Sequence, residues 1–125
     1  MMYHTRALIL RKDEWRETDA LVTAFTEQFG KLRFLAQGAR KHGAKLQGHL
    51  EPGSVSDISF VVARNGYRLT TARVRESFPS IRNSLSKLRA AAAVTSLLDA
   101  NLFEDHERAG ELFRIASDTL VAITA

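Results

Sequence analysis

A chain of 125 residues has room for one full hydrophobic core and the beginning of a second, and it is too short for two complete domains. With no cysteine, disulfides, thiolate zinc sites and cysteine nucleophiles are excluded, and the composition fits a reducing compartment. The net charge of +4 is unevenly spread: residues 1–89 hold 16 Lys/Arg against 8 Asp/Glu and residues 90–125 hold 2 against 6, so the first part is cationic and points to a polyanion such as nucleic acid.

No apolar run approaches the roughly 20 residues of a membrane span. The opening MMYHTRALILRKDEW loses its hydrophobic stretch after five residues and offers no small-residue cleavage site. A soluble cytoplasmic protein without membrane association is the expectation.

Up to about residue 76 the pattern is that of strands. In TRALILRK, residues 5–12, the short apolar run Ala7 to Leu10 predicts a strand covered on both faces. DALVTAFTEQFGKLRFLAQG adds two extended segments joined around Gly30. Along the second, Leu32, Phe34 and Ala36 alternate with Lys31, Arg33 and Gln37, so one face packs inward and the other shows cations to solvent.

The connection QGARKHGAKLQGHL, residues 37–50, holds Gly38, Gly43 and Gly48 with Arg40, Lys41, Lys45, His42 and His49, and no carboxylate. Its glycines predict close backbone approach and freedom for the cations to follow a polynucleotide strand. In SFVVARNGYRLTTARV, residues 59–74, Asn65-Gly66 predicts a type I′ hairpin. That register sets Arg64 against Tyr67, Val62 against Leu69 and Phe60 against Thr71. Ile58, Phe60, Val62 and Leu69 then share one face, with Val61, Ala63, Ala72 and Val74 on the other.

Five strands with a loop-rich excursion after the third give the layout of an OB-fold barrel. An SH3-like barrel has a similar tally, and periodicity does not separate the two.

After Ser77-Phe78-Pro79 the period becomes helical. Ile81, Leu85, Leu88 and Ala92, then Val94, Leu98 and Leu102, recur at helical spacing, with Ser77 or Ser80 as cap. Asp105 is the expected cap of a further helix with the stripe Ala109, Leu112, Phe113, Ala116, Leu120 and Ile123. The reading is therefore an OB-fold nucleic-acid-binding domain over 1–77 and the start of an incomplete α-helical domain over 78–125.

Catalytic chemistry finds little support. Asp13, Glu14, Glu17 and Asp19 in DEWRETD read as a solvated turn in preference to a metal or acid/base site. His42 and His49 lack a third ligand at zinc spacing, and His4 and His106 have no evident partner. Neither GxxxxGK[ST] nor GxGxxG after a strand occurs. No enzyme activity and no cofactor are expected.

What remains is electrostatic. Lys31, Arg33, Arg40, Lys41, Lys45, Arg64, Arg68, Arg73 and Arg75 face three intervening acids, Glu51, Asp57 and Glu76. The second and third strands of an OB-fold and the neighbouring loops form the groove used by nucleic acids. Tyr67 is a candidate stacking platform, with a structural role as the competing account, and Trp15 is similarly balanced between stacking and anchoring its loop.

The order TRALILRKDEWRETDALVTAFTEQFGKLRFLAQGARK, then KLQGHLEPGS and the RNGYRLTTARV hairpin, resembles the N-terminal half of the bacterial recombination and repair mediator family RecO. The similarity covers residues 3 to about 89. It implies an OB-fold followed by helices, in a protein that binds single- and double-stranded DNA and anneals complementary strands. It also implies work with RecR, and indirectly with RecA, on DNA coated by single-strand-binding protein. The family's basic residues map onto Lys31, Arg33, Arg40, Lys41 and Lys45; the hairpin arginines are added from charge. Family members are about twice this length and many carry a cysteine zinc module in their later half, whereas this sequence has no cysteine; the resemblance places the pocket for the tail of single-strand-binding protein in the helical part, which is expected to be incomplete here. The helical stripe runs nearly to the last residue with no glycine or proline stop, the pattern of a helical part only begun, and a bacterial, nucleoid-associated location is implied by the resemblance.

Two other classes compete. A protein-interaction adaptor would use Val94, Leu98, Leu102, Leu112, Phe113 and Leu120 as an exposed apolar surface, with self-association expected. A metal-dependent nuclease would use the DEWRETD carboxylates.

Overall fold

The computed structural model describes residues 1–102 and 108–124. Five strands, β1 (Met2–Trp15), β2 (Asp19–Thr26), β3 (Gly30–Ala36), β4 (Val55–Ala63) and β5 (Gly66–Glu76), are followed by α1 (Pro79–Arg82), α2 (Leu85–Asn101) and α3 (Ala109–Thr124). The strands close into a barrel in the order β1-β2-β3-β5-β4. The first half of β1 pairs antiparallel with β4 and its second half with β2, while β3 and β5 meet in parallel through only two pairs, Phe34 with Tyr67 and Leu35 with Arg68. This is the five-stranded OB type, with its short parallel closure. Asp105 and His106 lie outside the described residues.

Ala7 to Leu10 are all buried, and the two faces of β1 explain why. Ala7 and Ile9 join Val22, Phe34, Phe60 and Leu69 inside the barrel. Leu8 and Leu10 point the other way, into a second core shared with Phe25, Phe78, Ile81, Phe113 and Leu120. An apolar run with no alternation is what burial on both faces requires. The pairing of β1 with β2 slips between Ile9 and Arg11, so Leu10 is a bulge.

The hairpin register differs from the expectation. Ala63 pairs with Gly66, Val62 with Tyr67, Phe60 with Leu69 and Ser59 with Thr71. The corners of the turn are Arg64 and Asn65, neither of which has positive φ, and Gly66 takes φ 132° at the first position of β5. A type I′ turn needs positive φ at both central residues, so this one is of another kind. The slip between Ser59 and Phe60 leaves Thr70 as an extra residue, and its hydroxyl donates to the Ser59 carbonyl at 3.0 Å. Leu69 and Ala72 can therefore both pack on the barrel core, while Val62, expected beside Phe60, is 62% exposed.

The helical part also departs from its pattern. The expected first helix is broken at Asn83, and Ser84, in place of Ser77 or Ser80, accepts from the Lys87 amide and caps α2. Phe78 stands at the start of α1 with φ 51°, a left-handed conformation whose strain is offset by burial of its ring in the second core. On α2 the buried residues are Ala91 and Thr95, and Leu85, Leu88 and Leu97 are exposed. Small residues let the helix backbone approach its neighbours closely. On α3 the expected stripe holds: Ala109, Phe113, Ala116 and Leu120 are buried, with Leu112 and Ile123 packed beside them. The open apolar surface expected of an adaptor is corrected accordingly, because Phe113 and Leu120 are buried and Leu98, Leu102 and Leu112 are partly covered.

Candidate nucleic-acid interface

The two cores decide which part of the barrel is open. The outer sides of β1 and β2 carry Leu8, Leu10 and Phe25, and Phe25 meets Phe113 edge-on at 5.8 Å. Helices thus cover part of the strand 2 and strand 3 face expected to form the groove. What stays open is the outer side of β3, the seam where β3 meets β5, and the connection that follows β3.

That connection is a built structure. Successive turns run through it, with amides donating three residues back from Lys41 to Gly38, Ala44 to Lys41, Gln47 to Ala44 and His49 to Leu46. Gly38, Gly43 and Gly48 take φ of 69°, 75° and 84°, so each supplies a left-handed residue within the run of turns. Ala39 and Leu50 are buried in the barrel core and Leu46 packs against it. The cations are carried on an anchored ribbon.

Arg40 is part of the anchor. Its Nε donates to the Asp19 carbonyl at 2.8 Å, and its Nη2 to the carbonyls of Arg16 at 2.6 Å and Glu17 at 2.8 Å. Nη1 lies 3.5 Å from the Glu14 carboxylate. Beside it, the Gly38 amide donates to the buried Asp19 carboxylate at 2.7 Å. The guanidinium clamps the ribbon to the β1–β2 turn, where Arg16 itself has φ 56°. Arg40→Ala is expected to lower stability by about 2 kcal/mol, read as a fall in the urea midpoint; Arg40→Lys recovers little because ammonium lacks the planar fork.

Lys41 and Lys45 project from the ribbon and line an open cleft of about 660 Å³ together with Arg68 of β5, Gln37, His42 and Thr70. Lys41, Lys45 and Arg68 are exposed and make no ion pair among the described residues. A second cleft of about 680 Å³ lies at the other side of the seam, lined by Lys31, Arg33, Tyr67, Arg11, Thr23 and Asp99 among others. Arg33 is exposed, whereas Lys31 is held 3.0 Å from Asp99 of α2. The Tyr67 ring lies 5.6 Å from Phe60 and 6.1 Å from Phe34 and packs against the core, half-buried, while the residue also lines this cleft. Arg64 stands exposed at the hairpin turn.

Arg73 and Arg75 fall elsewhere. They occupy the far end of β5, about 17–23 Å of strand away from Arg68. Arg75 is 3.4 Å from Asp57, which also binds Arg6 at 3.1 Å, and Arg73 lines a separate hollow with His4 and Asp57. Trp15 is 45% exposed at the end of β1. The nine cations therefore divide, with Lys31, Arg33, Lys41, Lys45, Arg64 and Arg68 around the seam, Arg40 held at the β1–β2 turn, and Arg73 and Arg75 apart.

The DEWRETD carboxylates are dispersed among structural tasks: Asp13 pairs with Arg11 at 2.8 Å, Glu14 with Arg40, and Asp19 accepts from Gly38. Among the described residues no three His, Asp or Glu side chains converge as a metal site would require. His49 Nδ1 accepts from the Val74 amide at 3.1 Å, joining the ribbon to β5, and His4 Nδ1 lies 2.6 Å from the Ser59 hydroxyl. Among the described residues no helix is long and apolar enough to cross a membrane.

Arg11 and Asp99 were not singled out by sequence pattern. They are 88 positions apart, and the bulge at Leu10 that lets Arg11 turn toward α2 leaves no mark in the alternation.

A closed β1-β2-β3-β5-β4 barrel with helices docked on its side and cations along its parallel seam defines an OB-fold protein with a helical extension. Residues 1–78 match the family described as Recombination protein O N terminal. The chain belongs to the RecO family. It is 30% identical to the DNA repair protein RecO of Exiguobacterium sp. over 125 residues, 100% of this chain and 50% of that protein. It is 32% identical to that of Roseiflexus sp. over 124 residues, covering 99% and 43% of the two chains, and 33% identical to that of Desulforamulus reducens over 103 residues, covering 82% and 40%. The chain spans half or less of the length of these relatives.

Proposed function

We propose that this chain is the DNA-binding module of a recombination and repair mediator, holding single- and double-stranded DNA by its phosphates along the β3–β5 seam. The observation that carries the reading is the meeting of Lys41, Lys45 and Arg68, exposed and without ion pairs among the described residues, in one open cleft. Cations that contact phosphates leave base edges free, and backbone contacts carry little sequence information. Binding is therefore sequence-tolerant, and two strands whose repulsion is neutralised can pair, which is strand annealing without any bond made or broken. Family membership supports the further reading that the whole protein acts with RecR and single-strand-binding protein in loading RecA.

Salt dependence tests the proposal. If about five cations each neutralise one phosphate of a single strand, log K falls against log salt with slope about −3.5, and raising salt from ~50 to ~200 mM weakens binding about 100-fold. Fluorescence anisotropy with a labelled oligothymidylate measures this. An affinity that does not change with salt sinks the reading.

A further inference from the structure

The second cleft contains an acid where a phosphate would be expected. Asp99, in the last turn of α2, places Oδ1 3.0 Å from Lys31 Nζ and Oδ2 3.3 Å from Arg11 Nη1. Lys31 also donates to the Asp99 main-chain carbonyl, one of the orphan acceptors at a helix C-terminus. No basic residue of α2 itself lies in that last turn, so the barrel supplies the cation that the helix end favours. One carboxylate bridging two cations from β1 and β3 has the geometry of a bound oxyanion.

A second observation points to the same place. Thr23 is 2% exposed, contributes to the lining of this cleft, and its Oγ1 is buried without a hydrogen-bond partner among the described residues. Its cross-strand neighbour is Arg33, which is exposed and without an ion pair among the described residues. A buried hydroxyl with no partner is uncommon and marks packing that is not optimal in the closed arrangement. Lifting the end of α2 would release Lys31 and the Nη1 edge of Arg11 beside Arg33, with Arg11 Nε still held by Asp13 at 2.8 Å, and would make the Thr23 hydroxyl available as a donor.

We propose that this cleft is a phosphodiester-binding subsite occupied by the protein's own Asp99, which a single-stranded DNA backbone displaces. The proposal rests on the reading of the seam as a DNA site and adds a regulated segment to it. The first cleft, with Lys41, Lys45 and Arg68, has no carboxylate among the described residues of its lining. The second joins it only when a phosphate competes successfully with the carboxylate, so the footprint on DNA lengthens at low salt.

The test compares wild-type protein with Asp99→Asn and Asp99→Asn/Lys31→Met, using an oligothymidylate across a salt series. Asp99→Asn is expected to bind about 10-fold more tightly at ~100 mM salt, with the slope steepened by about 1.4, the value for two further phosphates on a single strand. Adding Lys31→Met should remove about 0.7 of that slope. An unchanged affinity and slope in Asp99→Asn, or a gain that persists undiminished without Lys31, overturns the proposal while leaving the seam reading intact. Failure of the wild-type protein to bind at all overturns the seam reading itself. Amide exchange on the wild-type protein keeps the test independent of how the variants fold. Saturating oligothymidylate should accelerate exchange across residues 96–101, and unchanged or slower exchange there overturns the displacement of Asp99.

Discussion

Lys41→Glu/Lys45→Glu/Arg68→Glu is expected to bind oligothymidylate about 100-fold more weakly than the wild type at ~100 mM salt, with an unaltered circular dichroism spectrum. Each phosphate contact on a single strand contributes about 0.7 to the salt slope, which at that ionic strength is about fivefold in affinity, and three are lost together. Reversing the charges adds repulsion and makes the figure a lower bound. The fold should be indifferent, because all three side chains are exposed and no ion pair among the described residues depends on them. Annealing of complementary strands should fall in parallel. If annealing persists when binding at this cleft is gone, phosphate neutralisation there is not its mechanism. The matching reversal at Arg73 and Arg75 should cost much less affinity, since those residues lie at the other end of β5 and Arg75 is tied to Asp57.

Arg40 shows why a charge count is not a site. It stands next to Lys41 in the sequence, in the same glycine-rich connection, and pattern treats the two alike. In the fold one guanidinium meets three carbonyls and a carboxylate of the β1–β2 turn, while its neighbour projects into the cleft. Nothing local separates them; the distinction comes from Arg16, Glu17 and Asp19, more than 20 residues away in the chain. Lys31 and Arg33 divide in the same manner. Both lie on the outer face of β3, as the alternation indicates, but only Lys31 is within reach of Asp99.

The parts of the fold that sequence made visible are those where one physical requirement dominated. Ala7 to Leu10 must be apolar throughout because both sides of β1 are buried, and Ala109, Phe113, Ala116 and Leu120 must repeat at helical spacing because one side of α3 is. The parts that stayed hidden are those where requirements compete. Around α2 the alanines and leucines are spread on every side, so periodicity does not reveal that the small pair Ala91 and Thr95 faces inward. At the hairpin, Asn-Gly invites a type I′ turn, yet Gly66 is used for the φ of 132° that begins β5, and the extra Thr70 then shifts the ladder by one residue so that Ser59 pairs with Thr71.

Phe60→Ala is expected to lower stability by about 4 kcal/mol, a large share of the 5–15 kcal/mol that typically holds a domain together. Phe60 is 2% exposed and lies at the centre of the aromatic packing. Its ring is 5.0 Å from Phe34, 5.5 Å from Tyr3, 5.6 Å from Tyr67 and 5.7 Å from Phe29, so its removal opens a cavity that touches β1, β3 and β5 together. Because Phe34 and Tyr67 form one of the only two pairs that close the barrel, the seam that carries the cations should loosen first. Oligonucleotide affinity is then lost along with the near-ultraviolet circular dichroism signal. Phe113→Ala removes a ring of the same size from the second core, where it meets Phe25 on the outside of the barrel. That variant should release α3 and lower the denaturation midpoint, yet keep affinity near the wild-type value, because neither Lys41, Lys45 nor Arg68 contributes to that core. Equal loss of DNA binding in the two variants would show that barrel and helices act as one cooperative unit, and that the seam owes its shape to both.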